Sequence, residues 1–141
     1  MKNMKKSLLL FLLMLGTVTF AQKATSENVQ SLKITQKKCL KKKGFKLVLA
    51  AVVSDSRCPE GVTCIWAGEA SVVVSVYKDS KLVEDHTMVF SMKNEEENKQ
   101  WFSKYLPEKQ KNIKNFSVFP YPKEGVQIKP KNYYVKIGYV K

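Results

Sequence analysis

The chain has 141 residues, 44% of them hydrophobic and 26% charged, with a formal net charge of +13, a single histidine and three cysteines. That length and apolar content suffice for a core, which excludes a disulfide-dependent miniprotein. The cationic excess favours anionic partners and disfavours basic ones.

The first 21 residues carry lysines, then an apolar run from Leu8 to Leu15, then small residues at Thr19 and Ala21. These are the three regions of a secretory signal peptide. The apolar run falls short of the ~20 residues that span a bilayer, so no stable membrane anchor is expected after cleavage. No cysteine stands at the cleavage point, so lipid attachment is not expected either. The mature chain is read as a single β domain, residues 22–141, monomeric and secreted or periplasmic.

Period-two alternation begins with SLKITQKK, where Leu32 and Ile34 alternate with polar residues, and resumes in FKLVLAAVV. With CLKKKG between them, the two segments predict a hairpin closed near Gly44. Its lysine-rich tip, Lys41, Lys42 and Lys43, is a solvated turn or a contact for an anionic envelope polymer. Lysine lacks the bidentate fork that phosphate readers favour, so no nucleic-acid partner is expected.

EASVVVSVY and LVEDHTMVFSM, joined by KDSK, predict a second hairpin. NEEENKQWFSKYLPEKQ predicts one short helix, capped by Asn94, with Glu95, Glu96 and Glu97 in its first turn and Pro107 at its stop. Trp101, Phe102, Tyr105 and Leu106 share one face of it, read as a packing stripe. NFSVFPYP is an edge strand or strand end because of Pro120 and Pro122. NYYVKIGYV, alternating Tyr133, Val135, Ile137 and Tyr139 with Tyr134, Lys136 and Gly138, is the expected closing strand. About six short strands without a βαβ rhythm predict a mainly β fold: an antiparallel, immunoglobulin-like β-sandwich, or a small barrel, with one short helix.

The segment SDSRCPEGVTCIWAGEA concentrates rare residues: two of the three cysteines, the sole arginine and one of the two tryptophans. In an exported chain Cys58 and Cys64 are expected as a disulfide, and closing so short a ring contributes about 2.4 kcal/mol by loop entropy. Cys39 is the odd thiol: free, intermolecular, or a rival partner for either of the others. Pro59 and Gly61 suit the tight turn within the ring. Trp66 is expected to plug the core beneath the loop, with surface recognition as the alternative. Arg57, kept in a chain whose other cations are lysines, implies a task for a planar fork: an internal salt bridge to Asp55, Glu60 or Glu69, or a ligand carboxylate. The three cysteines with His86 are a formal zinc set, yet the spacing is not that of a metal knuckle and oxidation competes for two thiols, so no metal or other cofactor is expected.

DSRCPEGVTCIWAGEA resembles the signature of a group of small bacterial secreted proteins and lipoproteins of uncharacterised function. The resemblance covers Asp55, Ser56, Arg57, Cys58, Pro59, Cys64, Trp66 and Gly68, with FPYP and the tyrosine-rich last strand as weaker echoes. It implies a β domain and no established activity.

With one histidine and neither a Gly-x-Ser-x-Gly elbow nor a Gly-rich phosphate loop, the chain is not expected to be an enzyme. The expected function is a non-catalytic binding module at the cell envelope or outside the cell, presenting the stapled loop to a protein or an anionic envelope polymer. The candidate ligand-binding residues are Arg57, Trp66, Lys41, Lys42 and Lys43. Asp55, Pro59, Gly61 and Gly68 shape the loop. The alternatives are a purely structural envelope domain and an inhibitor of an acidic secreted enzyme.

Overall fold

The computed structural model describes residues 28–37 and 43–141. The expected signal peptide, Cys39, Lys41 and Lys42 lie outside the described residues.

Among the described residues, six strands form two antiparallel sheets: β1 (Val29–Ile34), β2 (Phe45–Asp55), β3 (Ala70–Lys78), β4 (Lys81–Phe90), β5 (Ile113–Phe119) and β6 (Tyr134–Val140). One sheet has the order β1-β6-β5 and the other β2-β3-β4, a sandwich-like arrangement that does not close into a barrel. Between them lies the core. Alternate β3 residues Ala70, Val72, Val74 and Val76 reach it with Leu49, Met88 and Phe90, and the facing sheet contributes Ile113, Val118, Val135 and Ile137, all buried. Period-two alternation thus buries one face of each sheet and leaves the other to water.

Helix α1 (Glu95–Tyr105) follows a 3₁₀ turn at Met92–Asn94 and covers one opening of the sandwich with Phe102, Tyr105 and Leu106. Phe102 meets Phe90 and Phe116, one from each sheet, so the stripe is a packing stripe as expected. The three glutamates stand in the first turn, where the helix dipole favours them. Asn94 does not cap the helix with its side chain; its side-chain Oδ1 accepts from the Ser91 hydroxyl at 2.7 Å instead. The 3₁₀ turn before the helix sets that geometry. Chain direction changes at Leu106, which is extended because Pro107 follows it.

The predicted β3–β4 hairpin is present. Its turn residues Asp79 and Ser80 have φ of 49° and 72°, the left-handed pair that a two-residue turn joining twisted strands requires. The predicted β1–β2 hairpin is not. β1 pairs with β6 along its whole length, from Val29 with Val140 to Ile34 with Val135, while β2 pairs with β3. β1 and β2 are edge strands of different sheets, and just past β1 the two edges adjoin, the Leu49 amide donating to the Thr35 carbonyl at 3.1 Å. Alternation specifies the buried face of a strand but not its neighbour, and the intervening segment is long enough to cross the ~10 Å between sheets. For the same reason β6, expected to close the fold, is the central strand of its sheet. β5 is an edge strand, as its trailing prolines require.

Candidate functional site

The ladder between β2 and β3 does not stop where the strands end. The Ser56 amide donates to the Glu69 carbonyl at 2.8 Å, and the Cys58 amide to the Ala67 carbonyl at 2.9 Å, in register with the last strand pair, Asp55 with Ala70. The β2–β3 connection is therefore a finger: a two-stranded extension ending in a ring. Gly68 permits it. Its φ is +70°, and a Cβ there would lie 1.9 Å from the Ser56 carbonyl oxygen.

The ring is closed by the Cys58–Cys64 disulfide, with the two Cα atoms 5.9 Å apart. Within it the Val62 amide donates to the Pro59 carbonyl at 3.3 Å, and Gly61 takes φ of +84° at the third turn position. The ring is also fixed from outside, by the Glu60 amide donating to the Pro122 carbonyl at 2.9 Å and by an exposed Lys123–Glu60 ion pair at 3.9 Å.

Arg57 roots the finger. Its Nε and Nη2 donate to the two carboxylate oxygens of Asp55, both at 2.7 Å, a bidentate pair. Nη1 donates to the Val118 carbonyl, Nη2 also to the Pro120 carbonyl at 3.0 Å, and the guanidinium lies 4.8 Å from the Tyr121 ring centroid. Asp55 further accepts from the Tyr133 hydroxyl at 3.0 Å. One buried side chain, 8% exposed, thus joins the end of β2 to the end of β5, and its carboxylate partner reaches the start of β6.

Burial acts to raise the Asp55 carboxyl, but the hydrogen bonds and charge of Arg57, with the Tyr133 hydroxyl, hold it below its ordinary value. The Tyr133 phenol is pushed up by burial and by that same carboxylate. Of the two tasks the sequence leaves for Arg57, the internal salt bridge to Asp55 is the one the structure contains, and the fork faces inward.

Trp66 departs from its expected place. It is 68% exposed, and its neighbour Ile65 is wholly exposed. The space beneath the finger is filled by the Arg57 guanidinium and the rings of Tyr121 and Tyr133. Trp66 and Ile65 lie beyond the last ladder pair, with no sheet under them. Val62 is also exposed, so the finger carries three apolar side chains into water. Beside its base, a groove of about 260 Å³ is lined by Arg57, Ala67, Gly68, Phe90, Phe116 and Tyr121 among others.

Asp55, Arg57, Cys58, Pro59, Gly61, Cys64, Trp66 and Gly68 are gathered in this one finger. Lys43 is not: it precedes β2 and sits at the far end of the sheet from the ring. The contributions of Tyr121 and Tyr133, and the exposure of Ile65, escape sequence reasoning, although FPYP marks the segment on which the finger rests. The metal set considered for the cysteines is excluded by the bond between two of its thiols, and its histidine, His86, stacks on Trp101 at 4.8 Å. Among the described residues no group of three or more His, Cys, Asp or Glu gathers as a metal site, and no helix is long and apolar enough to cross a membrane.

No protein-family model matches the chain, and neither does a curated protein or a solved structure.

Proposed function

We propose that this chain is an exported, non-catalytic binding module whose working surface is the tip of the stapled finger. The observation that carries the reading is the exposure of Ile65 and Trp66 on backbone that is otherwise held by a ladder, a disulfide and a buried arginine. A large ring in water gains little where it stands and much in a partner's pocket, and aromatic side chains dominate binding energy at protein interfaces. Fixing the loop in advance removes most of the ordering entropy that association would otherwise require.

The disulfide and the signal-like first residues support a secreted or periplasmic location. The convex finger fits a concave apolar cleft on a monomeric domain's protein partner, and the excess of basic over acidic residues favours a partner that is acidic around that cleft. Inhibition of an acidic secreted enzyme is the narrower form of this reading. A purely structural envelope domain is the competitor, in which the tip has no ligand.

Immobilised oxidised protein, incubated with an envelope and culture-medium extract of the producing cell, tests the choice. The expected result is a protein captured saturably, displaced by free wild type, and lost with the Ile65→Ala/Trp66→Ala variant at unchanged thermal stability. Equal capture by wild type and variant rules the tip out.

A further inference from the structure

The outer face of the β1-β6-β5 sheet carries three rows set by the strand register. The first aligns Ser31, Gly138 and Asn115, the second Lys33, Lys136 and Ser117, and the third Tyr134 and Phe119. In the first row Asn115 lies over Gly138, where a Cβ would meet its Oδ1 at 2.4 Å. In the third, the two rings stack with centroids 5.6 Å apart and 15° between their planes. The ammonium of Lys33 rests 5.0 Å from the Tyr134 centroid, and that of Lys136 rests 5.9 Å from the Phe119 centroid.

Lys33 and Lys136 are direct cross-strand partners, an arrangement that destabilises a sheet when the charges are alike. Among the described residues neither has a carboxylate within ion-pair distance. The rings steady the two cations without neutralising them. A fixed pair of like charges, beside a row of hydroxyl and amide groups, lacks only an anion with hydrogen-bonding neighbours.

We infer that this face is a second binding surface, for an acidic polysaccharide whose carboxylates lie between Lys33 and Lys136 and whose hydroxyls meet Ser31, Asn115 and Ser117. Lysines are point charges that take a carboxylate or a phosphate alike, so the groups beside them decide the ligand. Hydroxyl and amide groups beside them suit a hydroxyl-rich chain. The inference does not rest on the finger, and the Trp66 variant is its internal control.

The probe is polygalacturonate, with neutral dextran and oligo(dT) in parallel, each titrated against the protein by calorimetry at low salt. Wild type and Trp66→Ala bind polygalacturonate alike, dextran is not bound, and oligo(dT) binds more weakly. Lys33→Gln/Lys136→Gln lowers the affinity by about tenfold or more, whereas Lys81→Gln/Lys93→Gln, with the same charge change on other surfaces, lowers it by less than about threefold. The melting temperature of the first pair is unchanged or higher, since a repulsive pair has been removed. Equal losses from both pairs, oligo(dT) affinity equal to that for polygalacturonate, or no polygalacturonate binding overturns the proposal.

Discussion

Arg57 and Asp55 form a pair in which both side chains are more than nine-tenths buried. Removing one partner of such a pair strands the other, so Arg57→Ala should cost about 3–5 kcal/mol in urea unfolding. Arg57→Lys keeps the charge but not the fork, and should still cost about 1–3 kcal/mol as buried acceptors lose their donors. A loss no larger than that of a surface substitution would refute the rooting role. The carboxyl of Asp55 is held below its ordinary value of 3.8 in the folded chain, so the unfolded chain takes up the proton first as pH falls. Its contribution is therefore whole above that value and is lost as pH drops through the lower folded value. Asp55→Asn should flatten the acid limb of a stability-against-pH curve. The two glycines of the finger separate by surroundings: Gly68→Ala meets backbone and should cost roughly 2–4 kcal/mol, while Gly61→Ala, with open space around it, pays only the left-handed strain of about 1–2 kcal/mol. At this scale the sequence marks the rare residue and its near carboxylate. It does not mark the Val118 and Pro120 carbonyls, because every residue carries a carbonyl and only the fold selects these two.

The finger is an element made by a ladder, a ring and a root, and the three contribute separately. Replacing both Cys58 and Cys64 with alanine should lower stability by about 2.4 kcal/mol or less, because the ladder and Arg57 remain to hold the loop. The variant should stay folded, with the loss of protection from amide exchange confined to residues near 58–66. Global unfolding at ambient temperature would mean that the ring, not the core, carries the fold. Ile65→Ala/Trp66→Ala should change stability by less than about 0.5 kcal/mol, as exposed positions do. Turn chemistry made the β3–β4 hairpin and the ring legible from Asp79, Ser80, Pro59 and Gly61. The pairing of β1 with β6 was not legible, since Leu32 and Ile34 report a buried face and nothing about the strand alongside. Trp66 misleads for a related reason: its size suggests a core residue, but the ladder reaches only to Ala67, the residue next to it, and leaves it no surface to cover.

At the scale of the molecule, the described residues form two small sheets tied at one end by a buried ion pair and at one opening by a helix. The end that is tied is also the end that projects, so rigidity and display come from the same residues. That coupling is what the proposed presenting domain requires. It stands on the claim that in the oxidised protein the apolar tip is held in water and not folded back on the core. The most direct measurement uses Trp101→Phe, which leaves Trp66 as the sole indole of the chain. Its fluorescence should resemble that of indole in water and be quenched by iodide nearly as fully as a free tryptophan derivative. A blue-shifted emission shielded from iodide would place the ring in an apolar interior and contradict the account.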